Sequence, residues 1–150
     1  MATTVADPVF VDTNTLIYTR AVQSPLHGSA TAKLQALAAA GHPLWISRQI
    51  LREYLASLSK PGISTPPLAM TTLIADVQAL EQRFYLVEDG PAVTSQLLIL
   101  LAAIPCAGKQ VHDANIVATM LANGIPNLLT HNVADFNRFA SYITIIPLIP

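Results

Sequence analysis

Four carboxylates stand where apolar segments hand over to polar ones. Asp12 lies in Val9-Phe-Val-Asp-Thr-Asn-Thr-Leu-Ile-Tyr18, and Glu53 in Ser47-Arg-Gln-Ile-Leu-Arg-Glu-Tyr-Leu55. Asp113 lies in Val111-His-Asp-Ala-Asn-Ile-Val-Ala-Thr119, and Asp135 in Thr130-His-Asn-Val-Ala-Asp-Phe136. The chain has nine acidic residues among 150 and only 11% charged residues, so an acid beside a core segment needs a reason. Oxygen-only donor sets suit hard divalent ions such as Mg²⁺ or Mn²⁺. Such an ion can acidify a bound water and stabilise the leaving oxygen of a phosphodiester.

Asp113 carries the strongest physical argument. At about 100° per residue it shares a stripe with Ile116, Val117, Met120 and Leu121, the spacing of one buried face. Asn115, Thr119 and Asn123 are expected on the other side. A carboxylate on a core-facing stripe is costly unless paired or bound to a metal. A first-turn acid favoured by the helix dipole would ordinarily face outward. Asp12 follows a buried run and also suits an N-cap or turn, with Asn14 and Thr15 as supporting donors or simple caps. Glu53 flanks the apolar face made by Ile50, Leu51, Tyr54 and Leu58, where a solvated helix-edge acid is the ordinary alternative. After Thr130, either Asn132 or Asp135 can supply a fourth position, against an Asx turn and a short-helix acid. His112 and His131 read as surface or structural residues, and no pair of histidines has zinc-like spacing.

The elements that must position these residues alternate. Short apolar runs at Val9–Val11, Leu44–Ile46, Phe84–Val87, Asn127–Leu129 and Ile143–Ile146 read as five buried strands. Helices are expected from Thr15, over Ser29–Ala40 with Gly41 closing it, and after Ser47 to near Lys60. Ser47 is expected to cap that third helix, with Ile46 and Leu51 as a hydrophobic staple. Further helices are expected over Pro66–Arg83 with prolines at the start, Gly90–Ala103, His112–Asn123, and a short turn over Ala134–Phe139. Alternation of this kind predicts a parallel sheet covered on both faces. Ligands bind such sheets at the carboxyl ends of the strands. Asp12, Glu53 and the Thr130–Asp135 segment should therefore meet at one edge.

Composition narrows the classes. The length suits one domain over residues 1–150. A hydrophobic content of 52% and a mean hydropathy of +0.47 exclude a disordered chain and suggest apolar surface covered by a partner. The longest apolar run, Leu97–Ile104, is shorter than the roughly 20 residues of a membrane span. Residues 1–8 lack a signal-peptide pattern. The single Cys106 excludes an internal disulfide framework and a cysteine zinc site. A cytoplasmic protein fits these features. A net charge of −1 leaves no strong basic footprint, so a nucleic-acid substrate would depend on metal ions for local positive charge. Arg48, Arg52, Lys109 and Arg138 lie near the expected edge and read as surface charges.

On these four segments the chain resembles PIN-domain proteins, specifically VapC-type toxin ribonucleases. The pairing of His-Asp-Ala at 112–114 with Thr-His-Asn-Val-Ala-Asp-Phe at 130–136 is the most specific part. The resemblance implies an α/β fold, a three-layer α/β/α sandwich with a central five-stranded parallel sheet. It implies Mg²⁺- or Mn²⁺-dependent cleavage of RNA, with Asp12 and Asp113 as primary ligands and Glu53 completing the cluster. Asp135 or Asn132 would contribute the fourth position, and Asn14 and Thr130 would support it. Many family members have an acid where Asn132 stands, and its absence removes one negative charge and weighs against a second ion. A homodimer and a small antitoxin partner are also implied. Two other readings compete: a catalytically silent PIN-like module that binds RNA or protein, and a haloacid-dehalogenase-like phosphatase with Asp12 as nucleophile. The latter wants an acid where this chain has Asn14.

Overall fold

Val9–Val11 (β1) lies at the centre of a five-stranded parallel sheet, and all three residues are fully buried. The computed structural model describes residues 5–63 and 67–150. The strand order is β3-β2-β1-β4-β5, with β2 at Leu44–Ser47, β3 at Tyr85–Val87, β4 at Asn127–Thr130 and β5 at Thr144–Pro147. Parallel neighbours on both sides, with helices over both faces, explain why β1 is a continuous apolar run rather than an alternating one. Burying Phe10, Ile46 and Leu128 contributes roughly 2 kcal/mol each.

The helices fall into two packed groups. Thr13–Arg20 (α1) contacts His27–Ala39 (α2) and Arg48–Leu58 (α3), and α3 contacts Met70–Arg83 (α4). Pro91–Ala103 (α5) packs along Lys109–Ala122 (α6), and α6 touches the short Val133–Phe136 helix (α7), which a 3-10 turn over Asn137–Phe139 extends. The chain adds β2 and β3 on one side of β1, then returns to add β4 and β5 on the other. Right-handed crossovers place the helices of those two halves on opposite faces of the sheet. The result is the expected three-layer α/β/α arrangement.

Several local expectations hold, and others shift. Gly41 and Gly124 have φ of 87° and 65°, and His42 N and Ile125 N donate back to Leu37 O and Met120 O at 3.1 and 3.0 Å. These are Schellman closures, which place glycine in the left-handed region. Ser47 precedes α3, but its side chain makes no capping bond, and its buried hydroxyl has no partner among the described residues. Ile46 and Leu51, the expected staple pair, are both buried. Helix α4 begins at Met70, so Pro67 precedes it, and Pro66 lies outside the described residues. Helix α6 begins at Lys109, three residues before the expected His112, once Gly108 has turned the chain with φ 56°. Among the described residues no helix is long and apolar enough to cross a membrane.

Candidate active site

The sheet reverses its order between β1 and β4, and the two strands run in register with Val11 opposite Leu129. Asp12 and Thr130 therefore stand at the carboxyl ends of the two strands flanking the switch point, where open parallel sheets leave a crevice. Asp12 N still donates to Leu129 O at 3.0 Å. Its side chain is then gripped from both sides. Oδ1 accepts from Thr13 N at 2.8 Å, which makes Asp12 the N-cap of α1. Oδ2 accepts from Thr130 Oγ1 at 2.7 Å and from Asn14 Nδ2 at 3.2 Å. The cap reading and the site reading are thus both realised in one residue. With 6% of its surface exposed, Asp12 has its carboxyl pushed up to about 6. Burial is the main cause, and the charges of Glu53 and Asp113 add to it against the Thr130 and Thr13 hydrogen bonds.

Thr130 and Asn14 brace that grip. Thr130 Oγ1 accepts from Asn132 N at 3.0 Å and from Asn14 Nδ2 at 3.3 Å, so its hydroxyl is fully used. Asn14 Oδ1 in turn accepts from His131 N at 3.2 Å.

Glu53 reaches the same place from α3. Its Oε2 accepts from Thr13 Oγ1 at 2.6 Å and its Oε1 from Gln49 Nε2 at 2.9 Å. Asp113 comes from α6 and is half-buried. Its carboxyl is raised above the usual range, first by burial and then by Asp135 and Glu53, with Lys109 and Arg138 opposing.

The stripe argument for Asp113 holds only in part. Ile116, Val117 and Met120 are buried as expected, but Ala114, Ala118 and Thr119 are buried too. Helix α6 turns Ala114, Ile116, Val117 and Met120 into the core and also packs along α5, so it has no wide polar face. Thr119, expected outside, is 1% exposed and satisfies its hydroxyl on Asn115 O at 2.7 Å. Asn115 turns toward α3, where its Nδ2 donates to Gln49 Oε1 at 2.8 Å.

Asp12, Glu53 and Asp113 line one cleft of about 400 Å³, together with Thr13, Asn14, Lys60, Lys109, His112 and Asn132. Asp135 is exposed in α7 and does not line it, although its charge bears on Asp113. Asn132, also exposed, does line the cleft. His131 sits outside it, with its ring edge-on to Tyr18 at 5.7 Å between centroids. Thr13, Gln49 and Lys60 were not legible as site residues in advance. Gln49 had a usable signal, since it precedes Glu53 by four residues and so shares its helix face.

The donor chemistry of this cleft fits a hard divalent ion. Among the described residues no three acidic, histidine or cysteine side chains converge into a cage for an ion. Mg²⁺ in particular needs no such cage, because it keeps several waters and takes one or two carboxylates. A larger groove of about 630 Å³ runs between α1, α2 and α4, but it holds one carboxylate, Asp76. That group is already engaged by Tyr54 Oη at 2.8 Å and Arg20 Nε at 3.0 Å.

Comparison with known proteins gives a consistent picture. Ribonuclease VapC24 of Mycobacterium tuberculosis is 27% identical over 131 residues, spanning 86% of this chain and 89% of that protein. The fold matches VapBC2 from Rickettsia felis, solved with a DNA fragment from its promoter. The TM-score is 0.70 at 16% identity, over 93% of this chain and 97% of the other. It also matches a toxin–antitoxin complex from Klebsiella pneumoniae, with a TM-score of 0.64 at 18% identity over 93% and 97%. No family model matches the chain.

Proposed function

We propose that this chain, VapC-like in both sequence and fold, is a divalent-metal-dependent endoribonuclease and the toxin of a toxin–antitoxin pair. The observation that carries this reading is the buried Asp12 at the sheet's switch point, sharing one cleft with Glu53 and Asp113. The similarity to ribonuclease VapC24 along most of both chains supports RNA as the substrate.

Asp12 and Asp113 would be the principal ligands of Mg²⁺ or Mn²⁺, with Glu53 beside them. When bound, the ion would supply Lewis acidity at the phosphodiester and a more acidic water. The chain's own part is orientation. Thr130, Asn14 and Thr13 N fix the Asp12 carboxylate, while Thr13 and Gln49 fix Glu53. Lys60 and Lys109, which line the cleft, would meet substrate phosphates. Arg48 is not, since Glu81 and Glu88 occupy its guanidinium at 2.9 and 3.0 Å. For the fourth position we favour Asn132 in the cleft, with Asp135 acting on Asp113 through its charge.

Residues 1–150 are read as one domain. Leu98 and Ile99 on α5, each 63% exposed, support a partner surface, for which a second copy and a small antitoxin are the proposed occupants. The cytoplasm is the proposed location.

The test is cleavage of single-stranded RNA in Mg²⁺ or Mn²⁺ by the wild type, Asp12→Asn and Asp113→Asn. Both variants should remain folded and inactive. Cleavage retained by both would overturn the assignment. A second reading is a silent RNA- or protein-binding module, kept by Asn132, which puts a neutral amide rather than an acid on the cleft wall. Calorimetry separates the two, because a silent module would take up no Mn²⁺. No observation favours the phosphatase reading, since Asn14 donates to Asp12 instead of supplying the second acid.

A further inference from the structure

Gln49 spends its whole side-chain amide at the junction of two helices. It is 7% exposed. Its Nε2 donates to Glu53 Oε1 at 2.9 Å and to the backbone oxygen of His112 at 3.1 Å, and its Oε1 accepts from Asn115 Nδ2 at 2.8 Å. The orientation of the amide follows from its partners. The Glu53 carboxylate and a carbonyl can only accept, so the NH₂ end must face them.

We propose that Gln49 is a positioning residue, which holds the Glu53 carboxylate in the cleft and sets the first turn of α6, and with it Asp113, at a fixed distance from α3. This rests on the reading of the cleft as a divalent-ion site. Together with the 2.6 Å bond from Thr13, Gln49 completes a continuous chain of contacts. The chain runs from Asp12 at the end of β1, through Thr13 and Glu53, to His112 and Asn115 in α6. It ties carboxylates from three elements into one frame. Glu53 carries the same charge as Asp12 and Asp113, which it feels across the cleft, so its side chain would be free to swing away if one oxygen were released. A neutral amide resists that without cancelling the negative charge a cation needs. Lysine or arginine at this position would form an ion pair with Glu53 and compete with the cation.

The test uses the full-length chain, Mn²⁺ as the probe and Gln49→Leu, which keeps bulk and removes all three polar contacts. Calorimetry should show Mn²⁺ affinity reduced by about ten- to a hundredfold, the usual cost of losing a group that orients a ligand. RNA cleavage should fall mainly in kcat. In a Glu53→Gln background, the same substitution should produce a smaller loss, because only its hold on the first turn of α6 then remains. Asn115→Ala frees only Gln49 Oε1 and should give a smaller loss in the same direction. It keeps the inference testable if Gln49→Leu fails to fold. A merely structural amide would lower the melting temperature in chelator while leaving Mn²⁺ affinity at the wild-type value. That result in a folded variant, or an equal loss with and without Glu53, overturns the inference. A wild type that binds no Mn²⁺ overturns the metal reading and this inference with it. Binding by the wild type with Gln49→Leu unchanged overturns this inference alone.

Discussion

Thr130 Oγ1 donates to Asp12 Oδ2 at 2.7 Å across the β1–β4 seam, joining residues 118 apart in the chain. It is the largest influence holding the Asp12 carboxyl down against its burial. Thr130→Val keeps the shape and removes the hydroxyl. The Asp12 carboxyl should then rise above about 6. The acid limb of the pH–rate profile should move to higher pH. Asp12, Asn14 and the Asn132 backbone N–H would each lose a partner, so stability should drop by about 1–3 kcal/mol. An unmoved acid limb would mean that Asp12 does not control it.

Burial of Asp12 also sets a pH dependence for the metal-free protein. Its folded value of about 6 lies above the ordinary aspartate value of 3.8, so the folded state holds the proton more tightly than the unfolded chain. Stability from this group is therefore full below about 3.8 and is lost as pH rises toward about 6. The loss is on the order of 3 kcal/mol. Asp113 is shifted in the same direction and adds to the trend. Thermal unfolding in chelator should show a falling melting temperature across that window. Asp12→Asn should flatten it and be more stable than the wild type at pH 7. A wild type equally stable at pH 4 and pH 7 would contradict the proposed desolvation.

A bound cation reverses that penalty. Mg²⁺ or Mn²⁺ at a hundred times its dissociation constant should stabilise the fold by about 2.7 kcal/mol. Differential scanning fluorimetry reads this as a higher melting temperature at pH 7, absent in Asp12→Asn and Asp113→Asn. A flat response of the wild type would remove the support for a metal site.

Asn132 and Asp135 can be separated directly. Asp135 is exposed and acts on Asp113 through its charge, so Asp135→Asn should lower the Asp113 carboxyl and change the cleavage rate by less than about tenfold. Asn132→Ala removes a group that lines the cleft and should cost more. The reverse order of effects would assign the fourth position to Asp135.

Much of this architecture was legible from local pattern. Short apolar runs such as Val9–Val11 and Asn127–Leu129 mark strands buried on both faces, because burial on two sides leaves no polar alternation. Gly41 and Gly124 mark helix ends because their backbone must turn left-handed. Asp12 was placed correctly at the end of the first strand, since strand and cap are adjacent in sequence. Alternation of strands and helices was enough for a parallel sheet and for convergence at one edge.

Other features depended on which elements become neighbours. Thr119 and Asn115 look polar and outward by periodicity alone, but α5 covers the second side of α6 and Gln49 meets Asn115 from α3. Gln49 resembles any surface glutamine until α6 is set against it. The four acids are alike in sequence, yet Asp12 is sealed in, Glu53 and Asp113 are half-buried and Asp135 is exposed. Desolvation depends on everything packed around a carboxylate, and it is the largest cause raising the carboxyls of Asp12 and Asp113. The sequence by itself determined the elements and the carboxylates each would carry. Only the tertiary structure decided their burial, their charge coupling and the hydrogen bonds that orient them, because those forces act between atoms that the chain brings together from far apart.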